Sequence, residues 1–242
     1  MTGTVYGVGL GPGDPELMSV RAHRLLTNAR HVAYFRKAGR AGQARTLAGD
    51  FVPGDAVEFA MEYPVTTEIP LADPAYNETL SPFYAQVTDH LAALALAGED
   101  IVVLCEGDPF FYGSFMHLHA RLRDRIPVEV VPAITGMSAA WTATGLPITW
   151  GDDVLTVVMG TLSEADLARH MEAADALVVM KIGRNFPKIV RALQAAAKAD
   201  RAWLVEYAAM PGQTVRRLSD VPADHVAPYF SIVVVHGQGR RP

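Results

Sequence analysis

The run DIVVLC at residues 100–105 constrains the fold most, because it is short and almost wholly apolar. Such a run is typical of a strand that is buried on both faces of a parallel sheet. Strand-like and helix-like segments alternate around it: TVYGVGL and VEVV are rich in β-branched residues, whereas SPFYAQVTDHLAALALAG resembles a helix that ends at Gly98. This alternation predicts a mainly parallel α/β sheet in the first half of the chain.

Further segments of the first half fit the same alternation. RHVAYF at residues 30–35 predicts a second short strand, and the basic RKAGRAGQAR after it predicts a loop or a mobile lid. Helices are predicted in PELMSVRAHRLLTNA, SFMHLHARLRD and TGMSAAWTATGL. The stretch 51–82 is rich in proline and polar residues, which makes it the hardest part of the chain to assign.

The alternation breaks near Pro147, where PITWGDD has the turn residues of a linker. Beyond it, strands are predicted in VLTVVM and ALVVMKI, and helices from Ser163 and over 185–198. AWLVEYA, TVRRLSDV and YFSIVVVHG then follow with little between them, which indicates a mixed sheet with antiparallel hairpins. We therefore predict two α/β domains, residues 1–147 and 148–242, with a cleft between them.

The composition argues against several classes of protein. The chain has 242 residues, 50% of them hydrophobic, and can bury a good core. Its net charge of −5 argues against a protein that binds nucleic acid or a membrane surface through a basic face. No apolar run approaches the roughly 20 residues of a membrane helix, and no secretion signal is apparent. The lone Cys105 cannot form an intrachain disulfide, so we expect a cytoplasmic protein.

The segment GVGLGPGDPEL joins the first predicted strand to a helix, where glycine-rich loops often bind phosphate. Neither common phosphate signature fits, because G-x-G-x-x-G would place Pro12 or Asp14 at its last glycine, and a P-loop requires a lysine that this segment lacks. Asp14 before Pro15 instead predicts an N-cap and a first-turn proline, which disfavours an anionic ligand there. Taken alone, the loop is equally compatible with a tight connection that binds nothing.

Two more loops follow predicted strands in the same way. CEGDPFFYGS carries Asp108, whose carboxylate can accept hydrogen bonds from its own loop or from a ligand. VPAITGMSAAW carries Thr135 before a helix of small residues. Each also has a purely structural explanation, an Asp-Pro turn with Phe110 and Phe111 in the core, and a helix cap by Thr135. Because loops after parallel strands share one sheet edge, the three together predict a binding site.

The histidines, the cysteine and the basic residues outside these loops give no clear further site. His117 and His119 are two apart on a predicted helix and face different sides, so we predict no metal site. We expect Cys105 to pack inside its strand, and Ser163 with Asp166 to cap a helix. The basic residues after the second strand are compatible with a solvated loop or with binding of an acidic substrate; they are Arg36, Lys37, Arg40 and Arg45.

The three loops, in this order, resemble those of the S-adenosylmethionine-dependent tetrapyrrole methyltransferases. GLGPGDPELMSVRAHRLL is similar to the first motif of that family, EGDPFFYG to its Gly-Asp-Pro motif, and VPAITGMSAA to its Pro-Gly-Ile-Thr/Ser motif, with Ala133 in the glycine place. The likeness extends through ALVVMKIG, AWLVEYAAMPGQTV and SIVVVHG. EGDPFFYGSFMHLHARL and MEYPVTTEIP are most similar to the members that methylate carbon 20 of precorrin-2 in cobalamin synthesis.

The resemblance implies S-adenosylmethionine as methyl donor, bound in the cleft of a homodimeric enzyme, and precorrin-2 as the substrate that becomes precorrin-3A. The implied cofactor contacts come from both halves of the chain: Leu10, Pro12, Glu106, Gly107, Asp108, Phe111, Thr135, Gly136, Met180, Tyr207 and Ala208. We expect four residues to meet the tetrapyrrole: Arg36, Lys37, Arg40 and Tyr112. Relatives that methylate uroporphyrinogen have an acidic residue where this chain has Phe35, so no acid–base residue is carried over.

Methyl transfer from a sulfonium is an in-line displacement by a substrate carbon, so an enzyme contributes mainly by positioning both partners. This chemistry suits a site with no obvious nucleophile and no predicted metal. The alternatives are methylation of another precorrin carbon or of cobalt-precorrin-2, a non-catalytic nucleotide-binding module and, ranked lower, an NAD-linked oxidoreductase. An NAD site would have an acidic residue where this chain has Phe35, Arg36 and Lys37.

Overall fold

The computed structural model of the chain describes residues 1–65, 69 and 73–239. Contacts between Cα atoms divide the chain into two compact units, Met1–Thr135 and Gly136–Pro242, and each contains a five-stranded sheet. The predicted class of two α/β domains is confirmed, and the first sheet is parallel throughout the strands that the structure describes.

The sheet of the first unit places the N-terminal strand between two later ones. Its strands are β1 (Val5–Gly9), β2 (His31–Lys37), β3 (Val57–Tyr63), β4 (Ile101–Cys105) and β5 (Val128–Val131). Their order across the sheet is β3, β2, β4, β1, β5. Val5 of β1 lies opposite Ile101 on one side and Val128 on the other. Because the strands are parallel, their carboxyl ends share one edge.

Helices cover both faces of this sheet. They are α1 (Val20–Thr27), α2 (Gln43–Ala48), α3 (Pro74–Leu96) and α4 (Phe115–Leu122). α3 and α4 pack on one face through side chains such as Leu91 and Leu118. α1 and α2 pack on the other face through Leu26 and Ala48. All five residues of β4 are therefore buried, as the apolar run at 100–105 predicts.

The second unit has a mixed sheet. Its elements are α5 (Gly136–Ala143), β6 (Leu155–Met159), α6 (Glu164–Glu172), β7 (Ala176–Met180), α7 (Phe186–Ala195), β8 (Ala202–Glu206), β9 (Thr214–Arg217) and β10 (Ser231–Val235). The strand order is β6, β7, β10, β8, β9, and only the β6–β7 pair is parallel among these described strands. α6 and α7 cover one face, and α5 covers the other.

The division between the units lies before α5, whereas the predicted boundary follows Pro147. Ala140 of α5 is fully buried in a cluster with Val178 and Val234 of the second sheet. Packing of α5 therefore assigns it to the second unit, and the turn residues of PITWGDD lie between α5 and β6 within that unit.

The predicted loop at residues 36–45 is wrong at both ends, and only 38–42 lie outside regular elements. Arg36 and Lys37 belong to β2, and Gln43–Ala48 form α2. The stretch 51–82, which is the hardest to assign from the sequence, contains β3 and the start of α3. α3 continues through Pro82, although a proline lacks the N–H that a helix interior uses and is usually taken as a helix boundary.

Asp14 caps a different element from the predicted one. Its Oδ1 accepts a hydrogen bond from the N–H of Glu16 at 2.9 Å, at the start of a 3-10 turn over Pro15–Leu17. The cap of α1 is Ser19, whose Oγ accepts from the N–H of Ala22 at 3.1 Å. The carboxylate of Asp14 is therefore not at the N-terminus of α1. Phosphate is then disfavoured by the absence of the G-x-G-x-x-G and P-loop patterns, and no longer by a cap from Asp14.

Candidate functional site

The three predicted loops meet at the carboxyl edge of the first sheet. They are the glycine loop (residues 10–14), the Asp-Pro loop (106–114) and the Thr loop (132–135), which follow β1, β4 and β5. The N–H of Leu10 donates to the carbonyl oxygen of Cys105 at 3.0 Å. The N–H of Gly107 donates to the carbonyl oxygen of Gly11 at 2.9 Å. Hydrogen bonds thus join the first two loops directly.

Gly9, the last residue of β1, has no room for a side chain. A Cβ atom there would lie 2.5 Å from the Cβ of Ala133 and 2.7 Å from the carbonyl oxygen of Gly107. Gly11 and Gly107 have left-handed backbone, with φ of 80° and 62°, which glycine adopts without a steric penalty. The glycines of this region therefore allow the three loops to contact one another.

Asp108 links the Asp-Pro loop to the Thr loop. Its Oδ1 accepts a hydrogen bond from the N–H of Phe110 at 2.9 Å, and its Oδ2 accepts one from the N–H of Ala133 at 2.9 Å. The first bond closes a turn, and the second reaches a residue that is 25 positions later in the chain. Because both oxygens bond to backbone donors, the geometry supports a role for Asp108 in the shape of this edge.

The other predicted contacts on these loops differ in burial. Leu10 and Pro12 are buried, and the side chain of Leu10 packs in the core beside α1 and α2, so only its backbone can meet a ligand. Glu106, Phe111 and Thr135 are half-buried. The predicted site residues of the first unit are thus a mixture of buried supports and accessible groups.

The same loops leave apolar side chains uncovered. Phe110, Tyr112 and Ile134 are between 42% and 47% exposed, so Phe110 is not the core residue that the purely structural explanation requires. Tyr112 also has left-handed backbone with φ of 56°, which is uncommon for a bulky residue and occurs at turns and at functional sites. This edge of the sheet therefore has an apolar and partly strained surface.

The predicted contacts after β7 and β8 also lie at one sheet edge. β7 and β8 both run antiparallel to β10, so they point the same way, and Met180 and Tyr207 lie at the same edge. Three non-glycine residues here have left-handed backbone: Lys181 with φ of 53°, Tyr207 with 53° and Ala209 with 57°. Such backbone is costly for residues with a side chain and marks this edge as a second candidate region.

The connection after β8 is held on both sides of Ala208. The N–H of Tyr207 donates to the carbonyl oxygen of Phe230 at 2.8 Å, and the N–H of Ala209 donates to Oε1 of Gln213 at 2.8 Å. Ala208 is only 9% exposed, yet its N–H donates to no group within the described part of the chain. Backbone donors in well-packed residues usually have a partner, so this N–H is a candidate donor to a ligand.

Glu206 is a buried carboxylate at the end of β8. It accepts hydrogen bonds from Oγ1 of Thr214 at 2.9 Å and Nη2 of Arg216 at 2.8 Å, and Nε2 of His225 lies 2.7 Å from it. Burial raises the pKa of Glu206, but the bonds from His225 and Thr214 and the nearby positive charge outweigh burial, so its pKa lies below the ordinary value.

Sequence analysis missed Glu206, Gln213 and the N–H of Ala133. Glu206 is the only charged residue in AWLVEYA, and a charge inside a strand-like segment is a usable signal of a buried network. The other two make long-range or loop-specific hydrogen bonds that residue types alone do not indicate.

The basic residues after the second predicted strand are not equivalent. Nε of Arg36 lies 2.9 Å from Oε1 of Glu62, its neighbour on β3. Arg45 bonds to both carboxylate oxygens of Glu58 at 2.9 Å. Lys37 and Arg40 are exposed, and Arg40 makes no ion pair within the described residues. Arg36 and Arg45 therefore each have a carboxylate partner on β3.

Within the described ranges, no group of three or more His, Cys, Asp or Glu side chains is arranged to hold a metal ion. Cys105 is buried in β4, as expected, and burial raises the pKa of its thiol far above the ordinary value. Ser163 caps α6 as predicted, because its Oγ accepts from the N–H of Asp166 at 3.1 Å. None of the described helices is both long and apolar enough to cross a bilayer.

Two comparisons with known sequences cover nearly the whole chain. Precorrin-2 C(20)-methyltransferase of Sinorhizobium sp is 49% identical over 240 residues, which are 99% of this chain and 98% of that protein. The cobalamin biosynthesis protein CobIJ of Mycobacterium tuberculosis is 42% identical over 239 residues, which are 99% of this chain and 47% of that protein. This chain therefore spans about half the length of that longer relative.

A solved structure and a family model agree with these relatives. Uroporphyrin-III C-methyl transferase from Thermus thermophilus, complexed with S-adenyl homocysteine, is 28% identical, with a TM-score of 0.67 and coverage of 97% of both chains. The model described as Tetrapyrrole (Corrin/Porphyrin) Methylases matches residues 4–221, which include all three loops of the first unit and the connection after β8. The chain belongs to the tetrapyrrole methylase family.

Proposed function

We propose that this chain transfers the methyl group of S-adenosylmethionine to carbon 20 of precorrin-2, to give precorrin-3A. The observation that carries the proposal is the 49% identity to a precorrin-2 C(20)-methyltransferase across 99% of the chain. The geometry agrees with it, because the three family motifs of the first unit are bonded into one surface at the carboxyl ends of parallel strands.

The loops suit a donor that is cationic and partly apolar. The glycine and Asp-Pro loops carry no basic side chain and include the carboxylates of Glu106 and Asp108, a balance that favours a sulfonium over a phosphate. Exposed Phe110 and Ile134 offer apolar contact, and the N–H of Ala208 offers a hydrogen bond. When bound, S-adenosylmethionine supplies an activated methyl group.

The predicted contacts then separate by role. We propose that the buried side chains of Leu10 and Pro12 and the carboxylate of Asp108 shape the loops. The accessible groups would hold the donor; they are the backbone or side chains of Glu106, Gly107, Phe111, Thr135, Gly136, Met180, Tyr207 and Ala208. The expected position of the donor between the two units stays a prediction.

The substrate would be held through its carboxylates. Lys37 ends β2, and Arg40 follows it, at the same sheet edge as the three loops. Arg36 is partly neutralised by Glu62, which makes it a weaker anion-binding candidate than Arg40. Exposed Tyr112 would contact the macrocycle through its ring.

Incubation with metal-free precorrin-2 and S-adenosylmethionine labelled with ¹³C in the methyl group tests the reaction. We expect the label at carbon 20 by NMR. Parallel incubation with cobalt-precorrin-2 identifies the preferred substrate, and label at another carbon would reassign the enzyme within its family. Binding of S-adenosylhomocysteine without any product from either tetrapyrrole would instead support a non-catalytic module.

Arg40→Ala should raise the KM for the tetrapyrrole about fivefold, the size of one exposed ion pair. The KM for S-adenosylmethionine should not change, since Arg40 is not among the proposed donor contacts. Arg45→Ala is the matched control, because Arg45 already bonds to Glu58 and to the carbonyl oxygen of Gly49. An equal rise in both variants would remove Arg40 from the substrate site.

We also propose that the enzyme is a cytoplasmic homodimer. The family resemblance supports the dimer, and a single cysteine, which cannot form an intrachain disulfide, is compatible with a reducing compartment. Sedimentation equilibrium of the purified chain should give twice the mass of 26.1 kDa.

A further inference from the structure

The connection after β8 has an unusual backbone. Tyr207, Ala209 and Gly212 all have left-handed conformations, with φ of 53°, 57° and 83°. For a residue with a side chain this conformation costs about 1–2 kcal/mol, so Tyr207 and Ala209 require compensating interactions. The conformation of this loop is therefore imposed by its hydrogen bonds.

One of those bonds comes from a side chain. Oε1 of Gln213 accepts from the N–H of Ala209 at 2.8 Å, and the N–H of Gln213 donates to the carbonyl oxygen of Met210 at 3.2 Å. Gln213 is exposed and belongs to no apolar cluster of the described residues. Its side chain thus contributes a hydrogen bond to the strained residue and little burial.

The residue between the two anchored positions is Ala208. The N–H of Tyr207 is anchored on Phe230, the N–H of Ala209 is anchored on Gln213, and the N–H of Ala208 is left for a ligand. The Ala208 N–H belongs to the Tyr207–Ala208 peptide. The Ala209 N–H, which donates to Gln213, belongs to the next peptide along the chain. Loss of the bond to Gln213 would free the backbone of Ala208 between these two peptides. The strain at Tyr207 and Ala209 could then relax by turning the Ala208 donor.

We propose that Gln213 is a positioning residue, whose amide oxygen holds the loop so that the Ala208 N–H faces the methyl donor. This inference rests on the proposed function, because it assumes that the loop contacts S-adenosylmethionine. Gln213 itself does not need to touch the donor, which separates its role from that of the accessible contacts.

Calorimetry with S-adenosylhomocysteine on the full chain tests the proposal through three variants. Gln213→Ala removes the acceptor and should weaken binding about fivefold, as expected for one lost hydrogen bond. Gln213→Glu replaces the amide oxygen by a carboxylate oxygen at the same reach, so the acceptor is kept and the affinity should stay within about twofold of the wild type. Ser163→Ala loses the comparable exposed bond that caps α6, and it should bind like the wild type.

Kinetics with the tetrapyrrole give a second readout. Gln213→Ala should raise the KM for S-adenosylmethionine and leave the KM for the tetrapyrrole unchanged. Wild-type affinity in Gln213→Ala, or equal weakening in the Ala and Glu variants, would overturn the positioning role. Failure of the wild-type chain to bind S-adenosylhomocysteine would overturn the proposed function itself, so the two failures are distinguishable.

Discussion

The two units build their candidate edges by different means. In the first unit the loops after β1, β4 and β5 bond to one another, and glycines at positions 9, 11 and 107 provide the space and the backbone freedom. In the second unit the loop after β8 bonds mainly to its own residues, and non-glycine residues adopt left-handed backbone. Glycines therefore bring the loops of the first edge together, although Tyr112 there is also left-handed. The loop after β8 instead holds two left-handed residues that carry side chains, Tyr207 and Ala209, with hydrogen bonds.

Strand order explains this difference. β1 lies directly between β4 and β5, so the three loops that follow are neighbours and can bond to one another. In the second sheet β10 lies between β7 and β8, so the loops after those two strands are separated by a strand that runs the other way. The loop after β8 bonds instead to Phe230, just before β10, and within itself through Ala209 and Gln213. The topology thus sets which kind of support each edge can use.

The largest expected effect comes from breaking the link between loops in the first unit. Asp108→Ala leaves two backbone donors without their acceptor, at about 1–3 kcal/mol each, so the affinity for S-adenosylhomocysteine should fall about a hundredfold. Asp108→Asn keeps one acceptor oxygen and should lose about tenfold. Isothermal calorimetry measures both.

Asp14→Ala is the control for this comparison. Asp14 also accepts a hydrogen bond from a backbone N–H, but that bond lies within a single turn. Binding by Asp14→Ala should match the wild type. If Asp108→Ala also bound S-adenosylhomocysteine like the wild type, binding would not depend on the hydrogen bond between the Asp-Pro loop and the Thr loop.

A smaller effect concerns pH and the second unit. The pKa of Glu206 in the folded protein lies below its ordinary value. The bonds of the Glu206 carboxylate therefore stabilise the fold at pH values above the unfolded pKa, and this stabilisation is lost as pH falls through the folded pKa. The difference in free energy of unfolding between the wild type and Glu206→Gln should be constant near neutral pH and shrink below about pH 4.5. Urea denaturation at several pH values measures it, and a pH-independent difference would contradict this assignment.

The smallest expected effects come from exchanging glycine and alanine at one left-handed position in each unit. Gly107→Ala places a side chain on left-handed backbone and should reduce the free energy of unfolding by about 1 kcal/mol. Ala209→Gly relieves the same strain and should increase it by about 0.5 kcal/mol, because the added freedom of the unfolded chain offsets part of the gain. Thermal and urea unfolding should show opposite signs; equal signs would mean that backbone strain does not distinguish the edges.

Most of the framework is predictable from the sequence. The apolar run of β4 predicts a strand covered on both faces, and the close spacing of β8, β9 and β10 predicts the antiparallel part of the second sheet. The position of three loops after three strands predicts the shared edge of the first unit, and their mutual contacts confirm it.

The rest depends on tertiary packing that local sequence does not contain. Pro82 marks a boundary by local rules, but it lies inside α3, where burial of residues such as Tyr84 and Leu91 favours a continuous helix. The partner of Asp108 is a backbone N–H in another loop, so no pattern of residue types identifies it. Similarly, the charge of Arg36 is obvious, but its partner on β3 follows from strand register.

The place of β1 between two later strands, β4 and β5, has a consequence for synthesis of the protein. Its partner strands, which place Ile101 and Val128 opposite Val5, are synthesised long after it. β1 therefore remains unpaired on both sides until they have been made. At about 5–20 residues per second this wait lasts roughly 5 to 25 s. The link from Asp108 to Ala133 can form only after that, which makes the loop surface one of the last parts of the first unit to assemble on the ribosome.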